Sequence, residues 1–461
     1  MPSGLCRTSG QTMVSTIMHI NLLYQTHDEQ KGYLPNCIPF WKRTPEHFKN
    51  YGNVKYEYLE ELLEHGNVTI NKCNLDHAQK STETFWFHIQ PEWIDLSFFY
   101  ENVFHYIDED YMRAIRMEPN VKILLWFPSE GFHLSMPRFI DDILYTLNDK
   151  GIPEEKVYMV FGDLRIQENF KYYCKKKKID SKLKTFGMNI FELNYWVETN
   201  RMYFSKNRMK EINPNNEIVH PSEVNFEEHR SKRIVCRNAN PRPHRIFVVS
   251  QLYKKGYDKQ GYISFLNRYF TPGVPTNITD FTKDENVLAT AEQDMKEFLA
   301  QTPIVLDETA ETIGTDLNQR RMQKQHYLDS YCSIINETVC DSFPGDPLFI
   351  TEKVYQPILQ LHPFIVFGSK GTMEYLQDTG YKTFNGFCLV DEKYDWASNS
   401  ADRMDQAMEC VRKLFAFDIE TLHKEYIKIF DNLVYNQEHF LKLEKDRYFD
   451  KLMLWLNTSK D

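Results

Sequence analysis

Long apolar runs are missing from this 461-residue chain. No segment approaches the roughly 20 consecutive apolar residues of a membrane-spanning helix. The most apolar N-terminal stretch, Val14 to Tyr24, is short, contains His19 and Asn21, and lacks a small-residue cleavage site. No membrane span is expected, and a cytoplasmic location is. On that expectation the Asn-x-Ser/Thr triplets at Asn67, Asn277, Asn336 and Asn457 carry no glycosylation meaning. Paired cysteines are missing as well. The nine cysteines (Cys6, Cys37, Cys73, Cys174, Cys236, Cys332, Cys340, Cys388 and Cys410) form no CxxC pair and no Cys/His cluster at zinc spacing. An odd, dispersed set fits free thiols in a reducing compartment, and no structural metal is expected. There is no glycine-rich phosphate loop, which argues against a nucleotide kinase and a dinucleotide dehydrogenase. Basic excess is absent too: 55 Lys and Arg face 65 Asp and Glu, for a net charge of −10. A protein living on duplex nucleic acid usually shows the opposite balance. The single basic run, Lys175 to Lys178, reads as a solvated helix end.

What is present is an ordinary globular mixture, 42% apolar and 26% charged, with a high aromatic content of 14%. The length exceeds what one hydrophobic core supports and suggests two domains. In the first half, Thr84 to Ile89 (TFWFHI), Val121 to Phe127 (VKILLWF) and Val157 to Phe161 (VYMVF) are continuous apolar runs. Parallel strands covered on both faces read this way. Helical patterns over Asp108 to Met117 and Pro137 to Leu147 lie between them, the alternation of a parallel α/β sheet. The polar stretch Lys210 to Arg233 reads as a linker or elaborated crossover. The second half repeats the alternation. Strands are expected at Arg233 to Arg237, Tyr331 to Ile335 and Pro363 to Phe367, with short ones at Tyr381 to Phe384 and Phe387 to Val390. Helices are expected at Pro243 to Lys255, Val287 to Ala300, Thr351 to Leu361 and Gly371 to Gln377. Residues 401–456 are helical by their 3.6-residue periodicity.

The informative stretch is Tyr331 to Phe387. A buried strand ends at Asn336; a loop with Pro344, Gly345 and Pro347 follows; a helix opens at Thr351, whose hydroxyl can cap it. Glu352 and Lys353 lie in the first turn. Ligands of open α/β sheets bind at the carboxyl ends of strands beside helix N-termini, where free N–H groups and the helix dipole favour phosphate. A lysine in a first turn opposes that dipole, and an anion held there would account for it. A carboxylate beside it can take two hydroxyls of a ribose. A bare Thr-Glu-Lys triplet serves equally well as a cap with a surface ion pair; the flanking order is what favours the ligand site.

That order resembles the donor-binding motif of the fucosyltransferases of glycosyltransferase family 10: an apolar strand, Asn-Ser, a polar gap, Asp-Tyr, one residue, Thr-Glu-Lys, a helix, then a Pro-led apolar strand ending in Gly. Asn336, Thr351, Glu352, Lys353 and the strand from Pro363 to Gly368 match. Glu337 stands in place of Ser, Leu348 and Phe349 in place of Asp-Tyr, and the gap from Asn336 to Thr351 is longer than the family's. The resemblance implies that Glu352 contacts the donor's ribose and Lys353 its pyrophosphate, with Phe349 in the donor site. It also implies an arginine after the first strand of the donor domain that reaches the pyrophosphate. The turn CRNANPRPHR, Cys236 to Arg245, offers Arg245 first and Arg242 second. Guanidinium groups bind phosphate oxygens as a fork, although a solvated charged turn has the same composition.

An acceptor hydroxyl attacking an anomeric carbon needs a base, for which a carboxylate is the usual choice. Glu130 follows the strand Val121 to Phe127; the resemblance implies a Glu in a similar acceptor-side loop. A loop carboxylate satisfied by backbone N–H groups is the other reading of Glu130. His133 is the fallback and Asp163 a third candidate. The donor half carries no Asp-x-Asp metal motif; Asp108 to Asp110 reads DED but opens a helix in the first half.

The expected fold is α/β, two Rossmann-like domains facing a cleft (GT-B-like) with a helical C-terminal tail. Residues 1–225 would form the acceptor side, 226–400 the nucleotide-sugar domain, and 401–461 helices closing on them. The expected protein is a glycosyltransferase that moves a sugar, fucose by the resemblance, from a nucleoside-diphosphate sugar to a glycan or other hydroxyl acceptor, with inversion and without metal. No bound cofactor is expected; the donor is a substrate, with a GDP-sugar favoured. Two other readings stay open. One is a glycosyltransferase acting on modified DNA bases, the only route to a nucleic-acid partner. The other is a non-catalytic nucleotide-sugar-binding protein.

Overall fold

A computed structural model describes residues 18–23, 63, 68–89, 107, 109–127, 139–193, 195, 218–267, 273–306, 323–340, 345–443 and 446–458. In chain order the elements of the first part are β1 (Met18–Leu23), β2 (Val68–Cys73), α1 (Leu75–Gln79), β3 (Phe85–Ile89), α2 (Glu109–Met117), β4 (Val121–Phe127), α3 (Phe139–Lys150), β5 (Val157–Phe161), α4 (Ile166–Lys177) and β6 (Lys184–Gly187). Then follow β7 (Ile234–Asn238), α5 (Pro243–Lys254), β8 (Gly261–Phe265), α6 (Glu285–Leu299), α7 (Lys324–Leu328), β9 (Cys332–Asn336), α8 (Glu352–Leu359), β10 (Phe364–Phe367) and α9 (Thr372–Asp378). Three helices close the chain: α10 (Ser400–Ala416), α11 (Ile419–Leu441) and α12 (Asp446–Thr458). One sheet has the order β2-β1-β3-β4-β5-β6 and the other β10-β9-β7-β8. Parallel pairing runs through β1–β2, β1–β3, β3–β4, β7–β8, β7–β9 and β9–β10. The protein is therefore α/β, with two parallel sheets, covering helices and a helical C-terminal region. No described helix is long and apolar enough to cross a membrane.

The chain divides into two compact units. One is Met1–Trp126 with Asn148–Tyr158 and Lys445–Asp461; the other is Phe127–Leu147 with Met159–Glu444. In the first, the side chains of β3 are all buried, as its unbroken apolar run requires. Trp86 stands edge-on to Tyr158 at 4.8 Å, and Tyr158 edge-on to Trp455 of α12 at 5.2 Å. Lys156 completes the end of α2 by donating its ammonium to the carbonyls of Ile115 (2.6 Å) and Glu118 (2.7 Å), oxygens with no partner inside the helix.

In the second unit one core runs from β7, β9 and β10 into α5, α8, α10 and α11. Helix α5 is buried from His244 through Leu252, so the entire segment rather than one stripe lies in protein. Buried polar side chains tie the C-terminal helices down. Tyr426 of α11 donates to the Leu361 carbonyl at 2.8 Å, and Gln437 donates to the Val219 and Leu359 carbonyls. Arg230 lies over the Tyr426 ring at 3.9 Å while its backbone N–H donates to the Tyr331 hydroxyl. Among the described residues, Cys73, Cys174, Cys236, Cys332, Cys340, Cys388 and Cys410 form no disulfide.

Most expected elements appear within a residue or two of their expected limits. The expected strands at Tyr381 to Phe384 and Phe387 to Val390 are a correction. The first is an irregular segment, and residues 387–389 form a 3-10 turn with Cys388 at φ 47° after Gly386 at φ 90°. Side chains take the backbone groups that a ladder would have used. Phe384 N–H donates to Glu392 Oε1 at 2.6 Å, and Lys382 exchanges both backbone bonds with the Asn436 amide. Residues 218–233 carry no strand, only a short turn at Pro221–Glu223, as the polar composition implies.

Burial pushes the Glu392 carboxyl up to about 7, and its Oε2 is buried without a partner. A carboxyl raised on folding adds stability that is complete below its unfolded value and lost as pH rises through the folded one. Glu392 should therefore cost the folded state about 3 kcal/mol on going from pH 4.5 to 7. In Glu392→Gln, urea unfolding at pH 5 and pH 7 should differ by roughly 2 kcal/mol less than in the unaltered protein.

Candidate functional site

The site grows from the carboxyl ends of three neighbouring strands. Phe367 at the end of β10 pairs with Asn336 at the end of β9. Asn336 in turn donates to the Asn238 amide oxygen at 3.1 Å, joining the ends of β9 and β7. Asn336 is 2% exposed and its own Oδ1, likewise buried, has no partner. Each strand delivers the chain to a helix N-terminus: β7 to α5, β9 to α8 and β10 to α9.

Glu337, the first residue past β9, is fully buried and is the hub of this region. Its backbone carbonyl accepts from His244 Nε2 at 2.8 Å and from Arg245 through Nη2 at 3.0 Å and Nε at 3.3 Å. Its carboxylate accepts from Thr351 N–H at 2.9 Å, Thr351 Oγ1 at 2.7 Å and Thr338 N–H at 3.0 Å. Gly368 beyond β10 allows this approach: a Cβ there would stand 3.1 Å from Glu337 Cβ and Cγ. Three crossovers distant in sequence thus meet on one residue. In the sequence Glu337 stands out only as a departure from the family pattern. The available signal was a carboxylate directly after a buried strand, where only a dense set of donors makes burial affordable.

Arg245 sits in the first turn of α5, which Arg242 caps in extended geometry before Pro243. Burial, and then Arg242, pulls the Arg245 guanidinium down to about 10. Burial likewise drives His244 down to about 3, with Arg245 adding to the effect, so the imidazole is neutral at physiological pH. A carbonyl only accepts, so the His244 proton is on Nε2. Arg242 itself is exposed.

At α8, Thr351 is the N-cap in extended geometry. Its hydroxyl hydrogen goes to Glu337, which leaves Oγ1 to accept from Lys353 N–H at 3.4 Å and Lys353 Nζ at 3.1 Å. The ammonium also reaches Glu352 Oε1 at 3.0 Å. Both Lys353 and Glu352 are part-exposed while Thr351 is buried. The charge of Glu352 acts on Arg245, so the α5 and α8 turns share one electrostatic environment. The structure therefore brings Arg245, Asn336, Thr351, Glu352 and Lys353 together around Glu337. Phe349 is buried, with its N–H on Ser369 Oγ at 3.3 Å and its ring edge-on to Phe191 at 5.3 Å. Glu130 and His133 lie outside the described residues.

Asp163 is fully buried and accepts from Arg165 N–H (2.9 Å), Leu348 N–H (2.9 Å) and the Asn169 amide (2.8 Å). Burial raises its carboxyl to about 6 despite those donors. It joins the start of α4 to the 345–350 loop. A cavity of about 590 Å³ opens near there, lined by Arg165, Glu168, Lys370 and Glu374 among others, and by none of residues 242, 245, 336, 349 or 351–353. Among the described residues no group of three or more His, Cys, Asp or Glu could hold a metal ion.

No protein-family model matches the sequence, and no curated protein matches it. Solved structures do. An α1,3-fucosyltransferase is similar over 98% of this chain and 93% of its own, at 12% identity and a TM-score of 0.40. An α1,3-fucosyltransferase with GDP-fucose is similar over 95% of both chains, at 12% identity and a TM-score of 0.36. A UDP-forming α,α-trehalose-phosphate synthase from Burkholderia vietnamiensis is similar over 87% of this chain and 76% of its own, at 13% identity and a TM-score of 0.32.

Asp163 supports a stability prediction. Asp163→Ala leaves two backbone N–H groups and one hydrogen of the Asn169 amide without their acceptor, the amide keeping its bond to the Asp346 carbonyl, and should lower stability by about 2–4 kcal/mol, read as a lower urea midpoint.

Proposed function

We propose that this chain is a glycosyltransferase that takes a sugar from a nucleoside-diphosphate donor and passes it to an acceptor hydroxyl. One observation carries the proposal: Arg245 and the Thr351-Glu352-Lys353 turn, more than a hundred residues apart in sequence, converge on Glu337 at the carboxyl ends of parallel strands. Arginine, lysine and a helix N-terminus in one place suit a diphosphate. The residue order around Thr351 resembles the donor motif of the family 10 fucosyltransferases, and the donor sugar proposed is accordingly fucose on GDP. Residues 226–400 would be the donor domain and 1–225 the acceptor side.

In such a reaction the anomeric carbon gains oxocarbenium character while negative charge grows on the leaving diphosphate. Lys353 and Arg245 accelerate the step to the extent that they bind the diphosphate more tightly as that charge develops. Glu352 beside them would hold the ribose hydroxyls. Glu130, with His133 as the alternative, would take the acceptor proton. Inversion without metal is the mechanism proposed on the resemblance, and it accords with a donor half that carries no Asp-x-Asp motif.

Titration calorimetry with GDP and UDP, and release of free nucleoside diphosphate from a panel of nucleotide sugars, test the proposal. Binding of one nucleoside diphosphate and turnover of its sugar are expected; no binding of either at millimolar concentration refutes it. Lys353→Ala and Glu352→Ala should each reduce donor turnover at least about a hundredfold, the scale of one lost transition-state contact. Near-normal turnover in both would refute the site. Glu130→Gln should lower turnover while leaving nucleotide affinity unchanged.

A further inference from the structure

Glu337 presents an apparent contradiction. A site meant for a diphosphate contains three cations, Arg242, Arg245 and Lys353, yet a buried carboxylate lies among them and removes one unit of positive charge. If attraction of an anion were the only requirement, a neutral residue would serve better. The hydrogen bonds show what the carboxylate supplies instead. Thr351 has one hydroxyl hydrogen, and Glu337 Oε2 takes it at 2.7 Å. The Thr351 oxygen is thereby restricted to accepting, and what it accepts is the Lys353 ammonium at 3.1 Å. Glu352 takes a second ammonium hydrogen at 3.0 Å. Two of the three N–H bonds of Lys353 are thus directed by protein and the direction of the third follows. Meanwhile the Glu337 carbonyl holds Arg245 by two N–H groups, at 3.0 and 3.3 Å.

We propose that Glu337 is the positioning residue of the diphosphate site: acting through the Thr351 hydroxyl it fixes the direction of the Lys353 ammonium, and through its own carbonyl it fixes the Arg245 guanidinium. The inference rests on the nucleotide-sugar reading above and assigns Glu337 a role that its burial keeps from direct contact with a ligand. Glu337 costs the site long-range attraction and returns orientation. The two effects have opposite signs in a neutral variant, which makes them separable.

The experiment is a double-mutant cycle on the full chain with Glu337→Gln, Thr351→Val and the double variant. Affinity for inorganic pyrophosphate and for GDP is read by titration calorimetry, and folding by circular dichroism. Each single variant should lose roughly ten- to a hundredfold in pyrophosphate affinity, the scale of one charge-assisted hydrogen bond. The double variant should bind within about threefold of the weaker single one, because both changes break the same relay. Binding by Glu337→Gln that equals or exceeds that of the unaltered protein overturns the proposal and leaves the transferase reading standing. So does full additivity of the two losses. Should Glu337→Gln fail to fold, Thr351→Val decides: unchanged pyrophosphate affinity overturns the relay. An unaltered protein that binds neither GDP, UDP nor pyrophosphate overturns the transferase reading itself, and this inference with it.

Discussion

A carboxylate removed from water must be met by donors, and Glu337 sets the terms for the region around it. With its side chain inaccessible, both oxygens have to find N–H or O–H partners in the protein. Thr338 is too close in sequence to supply more than one. The others come from the N-cap residue of a helix that starts after a long loop, so the loop must return Thr351 to the end of β9. The carbonyl of the same residue takes the first turn of α5. Satisfying one acidic residue therefore dictates where two helices begin. Those two helix starts carry the cations from which a diphosphate site can be built.

The rest of the second unit holds this junction in place. Gly368 makes room for the Glu337 side chain, and its carbonyl is taken by the buried guanidinium of Arg403, which also donates to the Cys340 carbonyl at 3.0 Å. Arg403 belongs to α10, so the C-terminal helices grip the loops on either side of Glu337. The next helix start, α9, is closed by Asp395, whose carboxylate accepts from Thr372, Met373 and Glu374 N–H groups. Asp395 thus fills the N-terminus of α9 from within the protein. At α8 the fill is different: Glu337 takes the N–H and hydroxyl of the cap residue, and Lys353 stands over the first turn.

Much of this could be read from the sequence, for reasons that differ by element. The strands β3, β4, β5, β9 and β10 are unbroken apolar runs, and the parallel sheet that buries both of their faces leaves that pattern unmistakable. Strand β2 was not legible. Its sequence VTINKC leaves several side chains partly or fully exposed, which blurs any pattern. Strand β8 opens on Gly261 and holds Tyr262 and Ser264, another short mixed signal. The Tyr381 to Val390 segment failed the other way. It is apolar enough to imitate strands, but Gly386 and Cys388 adopt left-handed geometry and the Glu392 and Asn436 side chains capture its amides. At the candidate site, Thr351 as cap and Arg245 as the third residue of α5 followed from local rules of helix capping. That the two would share Glu337 did not, because nothing local records which carbonyl a buried arginine will find.

Charge accounting narrows what such a site can recognise. The chain as a whole carries −10, so its long-range field repels a nucleotide rather than gathering it. Near Glu337 the cations Arg242, Arg245, Lys353 and the buried Arg403 are offset by the carboxylates Glu337, Glu352 and Asp395, a surplus too small to attract a multiply charged anion by field alone. On the function proposed, affinity for a diphosphate would then come from directed N–H groups at short range, where a guanidinium and an ammonium fixed by protein acceptors lose little entropy on binding. A site of that kind discriminates by geometry. On the function proposed, it would favour a ligand whose phosphate oxygens match the directions set by Arg245 and Lys353 over an extended polyanion that needs a continuous positive surface. A hydroxyl-bearing glycan requires no such surface, whereas a nucleic-acid strand would need a local basic groove set against the net charge of −10.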